Sequence, residues 1–299
     1  MDTIDTRRRK VVGMLATALV AGSGGLAPLK SLAQPATHGW PLWSLQRGGR
    51  NLYLTAETPP QPADWRDSRI ERLLSHCSAL WTETNNVYKQ PQGALIQRYG
   101  IDPRRPLDDW LDARDKARLA EAARYCKTSP GDLAPYRPWL VGSLLQEQYY
   151  RGVGWKGKSA REVLAGQAAR AGMPWHCEFE TKDEVLAWFG ALTPLQDVQF
   201  LRYALDEVLA GPAADARIFK AWAAGQRELA TAEVARYNRA YPELAQRLTF
   251  ARNQAWLSRF EHMLDAKGAP LVVVGLYHMV GPSGILASAS RQGWTVDAI

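Results

Sequence analysis

Pro270-Leu271-Val272-Val273-Val274-Gly275-Leu276-Tyr277-His278-Met279-Val280-Gly281 decides how this chain reads. Four consecutive apolar residues, three of them β-branched, describe a strand buried on both faces, the pattern of a parallel sheet interior. Gly275 then lets the backbone turn or come close to another group. His278 follows three residues later, at the carboxyl end of the strand. In open α/β sheets that end is where ligands sit, so a histidine delivered there is a candidate ligand or base. A histidine that serves only as a structural hydrogen-bond partner is the competing reading of the same position.

Reading outward, Arg252-Asn253 lie on a helix that Pro242 starts at its first position and Gly268 ends. On the other side, Gly281-Pro282-Ser283-Gly284-Ile285 opens a further helix, and Gly293-Trp294-Thr295-Val296 reads as a closing strand. Near the amino end, two short strands at 41–46 and 51–55 flank Arg47-Gly48-Gly49-Arg50, a hairpin signal. Residues 63–77 read as a helix, and Ser78 to Thr84 as a second buried strand carrying Glu83 near its end. Capping boxes at Ser159-x-x-Glu162 and Thr193-x-x-Gln196 start two more helices, the second running through Leu209. Residues 106–126 and 133–150 also read as helices, Arg151 to Gly157 as a loop, and residues 174–180 as a strand ending at Glu180. This order predicts an α/β (or α+β) fold in a single domain, with a central mixed β-sheet flanked by many helices and a cleft at the strand ends.

Thr6-Arg7-Arg8-Arg9-Lys10 precedes a moderately apolar stretch and Ser31-Leu32-Ala33, which reads as a twin-arginine export signal cleaved after residue 33. Its glycines and mild hydropathy argue against a permanent transmembrane span, and the expected location is periplasmic. The domain expected after it is residues 34–299. The formal charge of +7 suggests nucleic acid, but residues 1–33 hold five Lys/Arg and two Asp/Glu, leaving 32 against 28 in the remainder. With no basic block or nucleic-acid motif, that excess describes a solvated surface. Cys77, Cys126 and Cys177 are odd in number and lack Cys-x-x-Cys spacing, which excludes a thiolate cluster and leaves any disulfide pairing open.

Arg252-Asn253, then Gly275-x-x-His278, then Gly281-x-x-Gly284 together resemble the C-terminal pattern of the TraB/GumN family, which is related to the Tiki metalloproteases and the erythromycin-esterase/ChaN-like proteins. The resemblance implies a metal-dependent hydrolase acting on peptide or protein. It implies His278 as a ligand to a divalent metal (Zn or Mn), and Glu83 or Glu180 as ligand or base. It gives Arg252 and Asn253 the task of stabilising charge that develops on a substrate oxygen. The family's first Gly-x-x-His is broken: the matching residues are Ala56-Glu57-Thr58-Pro59. Proline has no side-chain ligand, so Glu57 is the one nearby oxygen donor that could replace the missing histidine. Two further readings come from the same resemblance. One is a non-catalytic relative that keeps the pocket and binds a ligand or partner. The other, from the ChaN-like side, is haem or metal carriage with His278 as axial ligand.

Overall fold

The computed structural model describes residues 39–57, 59, 61–84, 92–265 and 267–299; the export signal read at 1–33 lies outside them. The chain divides into two compact units, each assembled from separate stretches. One comprises Thr84–Trp155 and Phe179–Gly211; the other runs up to Glu83 and resumes with Lys156–Glu178 and Pro212–Ile299.

The larger unit is built on one mixed sheet of six strands: β1 Leu42–Arg47, β2 Arg50–Glu57, β3 Leu80–Thr84, β4 Trp175–Phe179, β5 Leu271–Gly275 and β6 Thr295–Ala298, in the order β4-β3-β5-β2-β1-β6. The hairpin forms as the sequence predicts. Gly48 and Gly49 have φ of 58° and 76°, the left-handed pair that a two-residue turn between twisted strands requires. β1 pairs antiparallel with β2 and with β6, whereas β5 lies between β2 and β3 and is parallel to both. Leu271 to Val274 are no more than 1% exposed, as a strand covered on both faces demands. Three parallel strands therefore open their carboxyl ends in the same direction, bringing Glu57, Glu83 and the residues after Gly275 to one edge.

Helix boundaries differ from the sequence reading where side chains cap the chain locally. The expected 63–77 helix is Ser68–Leu74, because the Asp67 carboxylate accepts from the Arg69 and Ile70 N–H groups and so fixes the start. The expected 106–126 helix is a 3-10 turn, Leu107–Trp110, followed by Ala113–Tyr125 with Asp112 as its cap. The 133–150 reading resolves into Pro130–Leu133 and Pro138–Gly152, with proline at the first turn of each. The Ser159 and Thr193 capping boxes both form, starting Ala160–Arg170 and Pro194–Ala210. The three cysteines are free thiols. Among the described residues, no helix is long and apolar enough to cross a membrane.

In the smaller unit, Pro138–Gly152 packs on Pro194–Ala210 across Gly142, where a Cβ would lie 3.0 Å from Phe200. Arg137 locks this pair. Its guanidinium donates to Asp197, to the Gly190 carbonyl and to the Leu192 carbonyl, while Asp197 Oδ1 accepts from Trp139 N at 2.6 Å. Burial raises the Asp197 pKa to about 6, against the pull of Arg137. The folded protein thus holds this proton more tightly than the unfolded chain does, so the stabilisation is full below the ordinary Asp value and is lost as pH rises through the folded value. Denaturant titrations are expected to show unfolding free energy falling from about pH 4 to pH 6, with Asp197→Asn flattening that slope. An unchanged slope in the variant would contradict the assignment.

Candidate functional site

Two backbone features position the site. The first is β5, whose last residue, Gly275, leads into the short helix Leu276–Met279, so His278 sits on a helical turn and not on an extended loop. The second is the helical run from Pro242. It is not a uniform α-helix: Pro242–Ala245 passes into a π-helical turn, Gln246–Phe250, and resumes as Ala251–Asp265. A π turn inserts one residue and rotates the next stretch of helix by about 100° around the axis, and such turns recur at functional sites. Arg252 and Asn253 come directly after it.

Arg252 is 8% exposed and lies between two carboxylates. Its Nη2 donates to Glu83 Oε2 at 2.6 Å and to Glu178 Oε2 at 2.5 Å, and its Nε donates to Glu178 Oε1 at 3.1 Å. Glu83 Oε1 accepts from the backbone N–H of Gly275. A Cβ at Gly275 would stand 3.1 Å from that oxygen, so glycine is what lets the carboxylate reach the strand end. Burial pushes the Glu83 pKa up, but Arg252, His278 and the Gly275 N–H outweigh it and hold it at about 2. The same burial pulls the Arg252 pKa down, and Glu178 and Glu83 more than reverse it, raising the guanidinium above its ordinary value. Both charges are therefore fixed at neutral pH.

His278 is held by Asn253. Asn253 Nδ2 donates to the Ser283 carbonyl at 2.8 Å, which turns the amide oxygen toward His278 Nδ1, 2.7 Å away. An amide oxygen only accepts, so Nδ1 carries the hydrogen and Nε2 carries the lone pair. Burial and the Arg252 cation lower the His278 pKa to about 4, keeping the ring neutral at pH 7. Nε2 faces Glu83 Oε1 at 4.0 Å. Two hydrogen-bond acceptors thus confront one another inside a buried cluster.

The structure brings Glu83, Arg252, Asn253 and His278 together, but Asn253 orients the histidine, whereas the sequence reading aimed it at a substrate oxygen. Glu178, which sequence reasoning passed over, fills the second place beside Arg252. The signal for it was its place next to last in β4, two residues before Glu180, which lies just past the strand's end. Glu180 itself is exposed and belongs to the smaller unit, and its N–H donates to Glu184. Glu57 lies opposite Gly275 in the β2–β5 register, yet its carboxylate turns to the start of the Ala160–Arg170 helix. There Oε2 accepts from Arg161 N at 2.6 Å, and Oε1 is 3.5 Å from Arg161 Nε. Burial raises the Glu57 pKa to about 7 despite that partner. Pro59 is buried just beyond β2.

As placed, these donors do not make the three-ligand tetrahedral Zn site that the family resemblance allows. Among the described residues, no group of three or more His, Cys, Asp or Glu side chains is placed to hold an ion. His278 and Glu83 present the donor atoms that face one another, and Zn bonds of about 2.1 Å at tetrahedral angles would set them about 3.4 Å apart. Their 4.0 Å separation is wider, and Asn253, Gly275 and Arg252 pin both side chains where they are.

A buried sheet edge carrying Arg-Asn on one helix and Gly-x-x-His after the central strand defines a class of α/β proteins with a polar cluster at the strand ends. The TraB/PrgY/gumN family model matches residues 41–298, and the chain belongs to that family. Comparisons with curated proteins and with solved structures returned no match.

Arg252→Ala would leave Glu83 and Glu178 buried without their cation, a loss expected to cost about 3–5 kcal/mol. Chemical denaturation of the variant measures it. A cost below about 1 kcal/mol, the range of exposed ion pairs, would mean that the cluster is solvated.

Proposed function

We propose that this chain is an exported member of the family that binds a ligand or partner at the Glu83–Arg252–His278 cluster and does not act as a metal-dependent peptidase. The observation that carries the reading is the donor set. The histidine and the carboxylate nearest it are 4.0 Å apart and each held by other partners, and the second carboxylate, Glu178, is taken up by Arg252. A catalytic Zn site takes three protein ligands and leaves a fourth position for water. The residue in the place of the first family histidine is Pro59, and the nearby Glu57 is committed to Arg161.

The register supports this account of what was lost. Ala56 lies beside Val274 and Glu57 beside Gly275, so the segment ending at Pro59 leaves β2 next to the segment ending at His278. A histidine at 59 would emerge close to its partner, whereas proline brings no donor. What remains is a neutral imidazole, a fixed carboxylate and a fixed guanidinium, a set suited to recognition. As bases, the imidazole and the carboxylate are weak, because neither is poised near neutral pH.

Metal analysis of protein exported by its native host and purified without a histidine tag is expected to find well under one equivalent of Zn or Mn. The intact mass of the same preparation is expected to correspond to a chain starting near Gln34. The double change Ala56→Gly, Pro59→His is expected to raise metal uptake, with a melting curve to confirm folding because Pro59 restricts the loop. Stoichiometric metal in the unaltered protein, lost on His278→Ala and on Glu57→Ala, would overturn the reading and make Glu57 a ligand.

A further inference from the structure

We propose that the π turn Gln246–Phe250 absorbs one surplus residue and thereby sets the phase at which Arg252 and Asn253 reach the cluster. The inference concerns how the site is positioned, and it holds whatever the cluster binds.

Three observations converge on it. The first is spacing. Through the turn the buried residues come in adjacent pairs four positions apart: Leu244 with Ala245, Leu248 with Thr249, and Arg252 with Asn253. From Leu244 to Arg252 the buried stripe takes eight residues for two turns, which on an α-helix overshoots by about 80°. Beyond the turn, from Asn253 to Leu264, it takes eleven residues for three turns, an overshoot of about 20°. One residue taken up without advancing the helix accounts for about 100°, so the stripe comes back into line to within about 20°.

The second is hydrogen bonding. The Ala251 N–H donates to the Gln246 carbonyl five residues back, where an α-helix would step back four. Ala251 is also the first residue of the resumed α-helix, so the surplus is absorbed immediately before Arg252.

The third is anchorage on both sides. Pro242–Ala245 packs on the helix Glu228–Ala240, whereas Ala251–Asp265 packs on β2 and on the helix Ile285–Arg291. Neither half is free to rotate to suit the other. A regular α-helix of the same length would either turn Arg252 away from Glu83 and Glu178 or lift Leu244 from its packing. The turn reconciles the two, and the cluster therefore depends on the number of residues between Leu244 and Arg252.

Changes of helix length test this. Deletion of Gln246, which is exposed, is expected to leave a regular α-helix with Leu244 and Arg252 within about 20° of one direction. Nuclear magnetic resonance of the full protein reads the result at two hydrogen bonds: the Arg252 Nε–H donated to Glu178 and the Gly275 N–H donated to Glu83. Both signals are expected to keep their positions in the deletion variant, with no fall in melting temperature. Insertion of one alanine after Gln246 adds a second surplus residue and is expected to displace or abolish both signals. Deletion of Ser258, an equally exposed residue in the regular stretch of the same helix, is expected to do the same. Unfolding or loss of the two signals on deleting Gln246 would overturn the proposal, as would equal effects of the two deletions. Both signals surviving the alanine insertion would overturn it as well. An insertion variant that fails to fold counts with the loss of signal and leaves the Gln246 deletion to decide.

Discussion

The guanidinium of Arg252, held between Glu83 and Glu178, is the interaction on which the rest of this site depends. It ties the helix Ala251–Asp265 to two strands of the sheet, and it lets two carboxylates lie within a few ångströms of one another away from water. Burying an ion pair costs desolvation of both partners, and such a pair persists when its geometry is good and its remaining hydrogen bonds are met. Here the planar fork of arginine reaches both acids at once, which a lysine could not do in the same way. The cation in turn keeps Glu83 ionised and, together with burial, keeps His278 neutral. The charge states of the whole cluster are set from one residue.

That residue is placed by backbone features of unequal visibility. The apolar run Leu271 to Val274 announced a buried strand, and the strand is there with neighbours parallel on both sides. Gly48-Gly49, Ser159-x-x-Glu162 and Thr193-x-x-Gln196 were equally legible, because each acts through local chemistry within a few residues. The π turn at Gln246–Phe250 was not. No residue type marks it, and its Leu248 and Thr249 are buried like residues of an ordinary helix face. Asp67 and Asp112 shortened helices whose apolar spacing ran on beyond them, since a capping carboxylate decides a boundary that periodicity leaves open.

The site was legible as a set of positions more than as a set of roles. Glu83, Arg252, Asn253 and His278 could be named from strand ends and motif spacing, but which atom faces which depends on three-dimensional contacts. Asn253 turned out to orient the imidazole because Ser283, thirty residues away in sequence, supplies the carbonyl that fixes its amide. Glu57 is at the expected strand end, yet the nearby start of the Ala160–Arg170 helix draws its carboxylate away. Glu178 sits two residues before Glu180, and only the pairing with Arg252 reveals which of the two belongs to the site.

The claim on which this account rests most directly is that His278 is a neutral ring with hydrogen on Nδ1 and a lone pair on Nε2 facing Glu83. Long-range proton–nitrogen correlation spectra of the histidine side chains at pH 7, assigned with His278→Gln, read that state directly. The account predicts a neutral ring with a protonated Nδ1 and an unprotonated Nε2. A ring protonated on Nε2, whether as the other tautomer or as the imidazolium, would contradict it.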